Sequence, residues 1–205
     1  ISAGARVLDM GCGWGPMLNF FRCHGIQATG VTLSRAQAEY GRRSGLDVHL
    51  MDCRSITPAT FGTFDAVVSL GAFEHFCSME QYKAGKQDAV YRDVFRVADA
   101  LLRPGSRFFL QTMVFGEQMI PCEEIDINAD HHSDAFMLAR MQKMFPGSWL
   151  PFGTAQIVRT AAPMFQVRSA ESGRNDYLET IRQWADRFRQ PSFRKRLIYL
   201  TLLPQ

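Results

Sequence analysis

Three glycines at alternate positions, Gly11, Gly13 and Gly15, join two apolar runs in "ARVLDMGCGWGPMLNFFRCHG". No other stretch limits the possible folds as tightly. "ARVLDM" has the aliphatic content of a short buried strand, and "PMLNFFRC" repeats apolar residues at helical spacing. Pro16 suits a first helical turn and Gly25 the end of one. The glycines therefore sit in a strand-to-helix turn, where they permit unusual φ angles and let a ligand approach the backbone closely. The helix N-terminus beyond them offers free N–H groups to a carboxylate or phosphate.

A dinucleotide site would want G-x-G-x-x-G and an acidic residue about 20 positions later. Here the spacing is G-x-G-x-G, and the next strand, "IQATGVTLS", ends on Thr32, Leu33 and Ser34 without an acid. Nicotinamide binding is disfavoured. A shorter ligand such as S-adenosylmethionine stays open, as does a purely structural turn.

Strand and helix patterns alternate down the chain. After the second strand comes a helix from Ser34, a plausible N-cap, to about Ser44. "LDVHLM" and "FDAVVSL" read as further strands, the latter apolar enough to be covered on both faces. "DAVYRDVFRVADALL" is helical by period, and "RPGSRFFLQTMV" supplies a turn and a fifth strand. This rhythm predicts an α/β fold with a parallel sheet and helices on both faces. Ligands bind at the carboxyl ends of such strands. The segments 11–15, 32–34 and 71–75, with Asp52 and Gln111, are therefore expected to converge on one edge. After residue 115 the rhythm breaks. A polar loop, "GEQMIPCEEIDINADHHSD", leads to a Met-rich helix, "AFMLARMQKMF", and then to "PGSWLP". "TAQIVRTAAPMFQVRSAES" reads as helix plus strand, and "DYLETIRQWADRFRQ" as a last helix. Residues 115–150 are expected to form a lid or substrate insertion within one domain spanning residues 1–205.

The composition, 46% apolar and 21% charged with a net charge of +3, is that of an ordinary soluble domain and gives no argument for nucleic acid. No apolar run approaches the roughly 18 residues of a membrane span. Five scattered cysteines without a C-x-x-C pair read as reduced thiols of a cytoplasmic protein. The chain opens on Ile1, hard against its first strand, which reads as a piece of a longer protein.

"VLDMGCGWG", "VTLSRAQ", "VVSLGAFEHF", "FPGSWLP" and "DYLETIRQW" occur in the order and approximate spacing of one family. Over nearly its whole length the chain resembles the cyclopropane fatty acid synthases, which include the mycolic acid methyltransferases. The resemblance implies a Rossmann-like class I methyltransferase sheet with a helical insertion over the active-site edge. It also implies S-adenosylmethionine as cofactor and carbon–carbon double bonds of lipid acyl chains as substrate. By motif position, Gly11 and Gly13 match residues beside the methionine portion of the cofactor. Thr32, Leu33 and Gln37 match positions around its ribose and adenosine, Asp52 and Cys53 those at adenine, and Leu70 one near the sulfur. Glu74 matches the active-site glutamate, which binds bicarbonate in cyclopropane-forming members, and Tyr177 an active-site tyrosine. Gln111 stands where the family has a bicarbonate-holding histidine, and Asp176 where a histidine usually precedes the tyrosine. The family's N-terminal segment, with a further bicarbonate contact and part of the cofactor lid, has no counterpart in this sequence.

The residues themselves suit that chemistry. An alkene is a weak nucleophile, so the methyl donor must be electrophilic and held in line. Attack leaves a carbocation that needs electron-rich faces, for which Phe73, Phe76 and Tyr177 are candidates. Glu74 is the only carboxylate of the "GAFEHF" turn and the candidate base, while adjacent His75 reads as structural. Adjacent His131 and His132 diverge and no histidine pair lies four apart, so no metal site is assigned. Met137, Met141 and Met144 form a helical stripe that reads as core packing or as a pliable wall for an acyl chain. Arg187, Arg189, Arg194, Lys195 and Arg196 read as a solvated face, or as contact with a membrane surface or acyl carrier. Two alternatives remain at this point: a carbon methyltransferase on a smaller unsaturated metabolite, and a cofactor-binding relative without catalysis.

Overall fold

The computed structural model describes residues 1–190 and 192. In it β1 (Arg6–Met10) leads into α1 (Pro16–Cys23) and β2 (Gln27–Thr32) into α2 (Arg35–Arg43). β3 (Asp47–Leu50) is followed by the short α3 (Pro58–Phe61), and β4 (Phe64–Leu70) by α4 (Met79–Lys83) and α5 (Gln87–Leu101). Then come β5 (Leu102–Gln111), α6 (Asp134–Met144), α7 (Gly153–Ala161) and α8 (Arg174–Arg189). The five strands are all parallel, in the order β3-β2-β1-β4-β5. Their carboxyl ends therefore share one edge, and every loop leaving that edge is a neighbour of the next.

Side-chain alternation along the strands decides which helix covers which face. Leu8, Met10 and Val67 pack against Tyr91, Val94, Phe95 and Ala98 of α5. Val7, Ala66 and Val68 turn the other way, toward Phe21 of α1, while Leu18 joins Ala38 of α2 and Val48 of β3. Both faces are covered, as the apolar run "FDAVVSL" predicts. Ser34 is the N-cap of α2, its hydroxyl accepting from the Gln37 N–H at 3.4 Å. The predicted turn in "RPGSRF" lies inside β5. Phe64 pairs with Leu102 and Ala66 with Arg107, so the intervening residues, including Gly105 at φ 80°, bulge out of the ladder.

By packing, the described residues fall into two compact units, residues 1–167 and those from 168 onward. The first holds the sheet and α1 to α7. In the second, α8 is described, and Arg194, Lys195 and Arg196 of the basic cluster lie outside the described residues. The strand expected in "MFQVRSAES" does not form. A strand needs a ladder partner, whereas Phe165 sends its ring against Phe95 and Phe108 and residues 166–173 stay exposed. Among the described residues no helix is long and apolar enough to cross a membrane. All five cysteines are free.

Helix α1 lies against β2 at Gly30. A Cβ there would sit 2.6 Å from Leu18 Cδ1 and 2.7 Å from both Cβ and Sγ of Cys12. Gly30→Val is therefore expected to lower stability by about 1–3 kcal/mol through overpacking. Urea unfolding with an unchanged midpoint would show that α1 does not need this contact.

Candidate active site

The loops at the carboxyl edge are stitched together by backbone hydrogen bonds. Cys12 N–H donates to the Val31 carbonyl at 2.9 Å, Met51 N–H to Thr32 at 3.0 Å, and Gly71 N–H to Gln111 at 3.0 Å. Segments 11–15, 32–34 and 71–75, Asp52 and Gln111 thus reach the one edge the sequence indicated. The three glycines divide their work. All have positive φ, at 113°, 54° and 80° for Gly11, Gly13 and Gly15. A Cβ on Gly11 would lie 2.3 Å from Ala72 Cβ, and one on Gly15 2.6 Å from Leu46 Cδ1. Those two are demanded by packing. Only Gly13 faces open space, with nothing within 4 Å of a Cβ.

Beneath this turn lies a residue that sequence reasoning missed. Asp9 is 2% exposed, its Oδ1 has no hydrogen-bond partner, and burial pushes its carboxyl up to about 7. Burial raises the Cys12 thiol to about 12, with the neighbouring Asp9 charge adding to the effect. The signal available in the sequence was an acid at the end of an otherwise apolar strand, two residues before the first glycine.

At the end of β2, Thr32 Oγ1 lies 2.6 Å from Gln37 Oε1 and accepts from the Ser34 N–H at 3.2 Å. The loop and the first turn of α2 are thereby joined, with Leu33 exposed between them. Asp52 caps a short 3-10 turn and is gripped by Arg54, whose side-chain hydrogen bonds hold the carboxyl below its usual range. Cys53 is buried in the core beneath α5, and desolvation raises its thiol to about 12. Leu70 is half-buried at the end of β4.

Glu74 is a second buried acid. The loop after β4 makes a single 3-10 turn over Phe73–His75 that buries the carboxylate, leaving it 3% exposed. Oε1 accepts from the Met113 N–H at 2.8 Å, and Oε2 has no partner. The carboxylate lines a cavity of about 90 Å³ walled by Phe115, Leu138, Met141, Phe145 and Trp149. His75 is exposed and tied to Ser148 Oγ at 2.6 Å, consistent with a structural role.

Other expectations change. Phe73 is fully buried, stacked on Tyr91 at 4.6 Å, so it is core and offers no face to a cation. The aromatic walls beside Glu74 come instead from Phe115, Phe145 and Trp149, which only the returning chain brings there. The methionine stripe is not core: Met137 and Met144 are exposed and Met141 alone lines the cavity. Gln111 is exposed at the end of β5. Tyr177 lies in the second compact unit, half-exposed and edge-on to Trp184. His131 stacks on Phe136.

A five-stranded parallel sheet of this order, with a glycine turn after β1 and an acidic turn after β4, has the class I methyltransferase fold. The mycolic acid cyclopropane synthetase family profile matches residues 1–198, and the chain belongs to that family. It is 30% identical over 193 residues to the cyclopropane-fatty-acyl-phospholipid synthase of Escherichia coli (strain K12), covering 92% of this chain and 43% of that protein. The solved cyclopropane synthase MmaA2 from Mycobacterium tuberculosis superposes with a TM-score of 0.68 at 26% identity, over 91% of this chain and 63% of that one. The mycolic acid cyclopropane synthase CmaA1 complexed with SAH and CTAB gives a TM-score of 0.63 at 25% identity, over 91% and 63%. The chain thus spans less than two thirds of the length of these relatives.

The Asp9 carboxyl has a direct consequence for stability. Its folded value of about 7 lies above the ordinary 3.8, so the native state keeps a proton that the unfolded chain has released. This contribution to stability is present below about pH 4 and is lost as pH rises through about 7. Asp9→Asn should therefore be the more stable protein at pH 8, by on the order of a few kcal/mol, and should match the parent near pH 4. Parallel denaturation curves at the two pH values would contradict this placement of Asp9.

Proposed function

We propose that this protein transfers a methyl group from S-adenosylmethionine to a carbon–carbon double bond of an unsaturated lipid acyl chain. The product is a cyclopropane, methyl-branched or methylene chain. One observation carries the reading: a buried carboxylate, Glu74, with one oxygen fixed by a backbone N–H and the other unpartnered in an apolar, aromatic-walled cavity.

The residues at the sheet edge fit the cofactor. Gly13 leaves open space above the turn, and Asp9 offers an unpartnered carboxylate oxygen suited to an amino acid ammonium. The joined Thr32 and Gln37 suit ribose hydroxyls, with Gly11, Leu33, Asp52, Cys53 and Leu70 on the loops around them. The related CmaA1 was solved as a complex with SAH. When bound, the cofactor supplies an electrophilic methyl group. The chain's own residues do the rest. Phe115, Leu138, Met141 and Phe145 keep water from the reacting carbons, and the aromatic faces favour positive charge on the substrate. Glu74 Oε2 then takes a proton: from the transferred methyl group, whose C–H pair closes a cyclopropane ring onto the charged carbon, or from a carbon next to the charge, which leaves a new double bond. Met113 N–H holds Oε1 throughout, so the carboxylate needs no reorientation.

A bicarbonate ion held by Glu74 and Gln111 finds little support. Gln111 is exposed and the Met113 N–H is already committed to Glu74. Glu74 itself is the base in this reading. Tyr177 joins the reaction through family resemblance alone. Supply of the acyl chain from a membrane surface or an acyl carrier belongs to the same proposal. It is supported by α8, which carries Arg187 and Arg189 alongside exposed Trp184 and Phe188.

Two substitutions test the two halves of the site. Glu74→Gln should bind S-adenosylmethionine about as tightly as the parent while turnover on an unsaturated phospholipid falls roughly a hundredfold. Full turnover would move the catalytic centre elsewhere. Gly13→Asn suits the left-handed backbone, which asparagine tolerates, yet fills the open space. A folded Gly13→Asn protein is expected to bind the cofactor at least about tenfold more weakly by calorimetry. Unchanged affinity would remove the glycine turn from the cofactor site.

A further inference from the structure

The methionine stripe of α6 leaves two side chains that the cavity does not use. Met137 and Met144 are 53% and 60% exposed, whereas Met141 between them lines the cavity. Leu138 and Gln142 line it as well, so the stripe and the cavity-facing surface of the helix adjoin at Met141. Two further residues show where the inside passes to the outside. Phe145, which follows α6, and Met113, just beyond β5, both line the cavity, yet are 50% and 42% exposed. Exposed apolar surface therefore runs on into the cavity that holds the Glu74 carboxylate.

Hydrocarbon grouped in this way marks a surface that something covers. The charges beside it select the cover. Arg140 and Lys143 are the only ionisable side chains in residues 135–150, and both are exposed. The guanidinium of Arg140 lies over the Phe136 ring, 5.8 Å from its centre, so its stem follows the helix while its head stays in water. A second copy of this chain would set these cations against each other. An acidic carrier protein would answer the cations, but its polar surface would leave the methionines uncovered. A bilayer of anionic lipid meets both demands. We infer that the outer face of α6 docks on an anionic lipid surface, so that an acyl chain passes into the cavity without crossing water. Met137, Met144 and Phe145 enter the boundary between headgroups and acyl chains, and Arg140 and Lys143 remain among the phosphates. Methionine suits this place because its unbranched side chain adapts to a fluid partner. This inference rests on an acyl chain as substrate and assigns the surface through which it arrives.

The test sediments the intact protein with vesicles of fully saturated lipid, fluid at the working temperature, so that no double bond takes part. Binding to phosphatidylglycerol vesicles is expected, with phosphatidylcholine vesicles at least about tenfold weaker. Arg140→Gln combined with Lys143→Gln should weaken binding to the anionic vesicles at least about tenfold. Met137→Gln combined with Met144→Gln should weaken it by a similar factor of about ten. The two pairs are exposed and independent, so either one suffices should the other variant not fold. Absence of sedimentation with the anionic vesicles overturns the inference. Equal binding to both lipids, or binding that both variants keep, overturns it too. Methyl transfer to chains on an acidic carrier protein without any vesicle binding would assign the face to that partner instead. A protein that docks as expected but never transfers methyl would count against the preceding proposal and not against this surface.

Discussion

The hydrogen bond from Met113 N–H to Glu74 Oε1 carries the pairing of β4 with β5 onward into the loops that leave them, beyond the Gly71 N–H bond to Gln111. A parallel sheet delivers its loops to one edge, but it does not decide how a loop after β4 meets the chain leaving β5. Here a buried carboxylate does so, because its desolvation must be answered by a donor and the nearest backbone donor lies just beyond β5. From that point the chain continues to Phe115, whose N–H donates to Pro151 at 2.8 Å and which bridges to Phe152. The segment carrying α6 is therefore closed over Glu74 at both ends. Its apolar residues can form a wall only because this closure holds.

The second support is a buried polar network on the α5 and α7 side. Gln156 Nε2 donates to Gln87 at 3.0 Å and to Asp88 at 2.8 Å, and Arg159 pairs with Asp88 at 2.9 Å. Gln87 and Tyr91 pass the constraint to the carbonyls of Leu150 and Trp149. Such networks add little net stability per bond, about 0.5–1.5 kcal/mol, but each member left unpaired is costly. The effect is specificity of seating. Tyr82, Phe115 and Phe152 then close around the indole, with Tyr82 stacked on Trp149 at 4.9 Å.

What could be read from the sequence was what local periodicity encodes. The five strands of the sheet, the longer helices, the Ser34 cap and the edge where the loops gather followed from apolar spacing and turn residues. The missed features depend on the chain's return. Phe73 neighbours Glu74 in sequence, yet a 3-10 turn sends the two side chains to different surroundings, one into the core under α5 and the other into the cavity. Phe145, Gln142 and Trp149 lie far down the chain from Glu74, and no spacing rule ties them to the acid. The methionine stripe misled for a related reason. The face of α6 that covers the cavity carries Leu138, Met141 and Gln142 and is turned away from the methionine stripe, so of the three methionines only Met141 lies on both. Asp9 was legible as an anomaly, an acid in a buried strand, but its consequence depends on burial that a sequence does not show.

Asp9 lies on β1 and Glu74 on the loop launched by its neighbour β4. Asp9 pairs in register with Val68, and the turn after it packs so closely on the Ala72 methyl group that a side chain on Gly11 would collide with it. The two acids answer burial differently. Glu74 keeps a backbone donor on one oxygen, whereas Asp9 has no partner for Oδ1 and holds its proton up to about pH 7. A cationic group arriving over the glycine turn would lower the Asp9 carboxyl and draw it into its charged form, so that binding releases a proton at mildly acidic pH. The edge therefore holds two different carboxyls: Asp9, whose charge a cationic ligand would draw out, and Glu74, whose position the Met113 N–H already fixes.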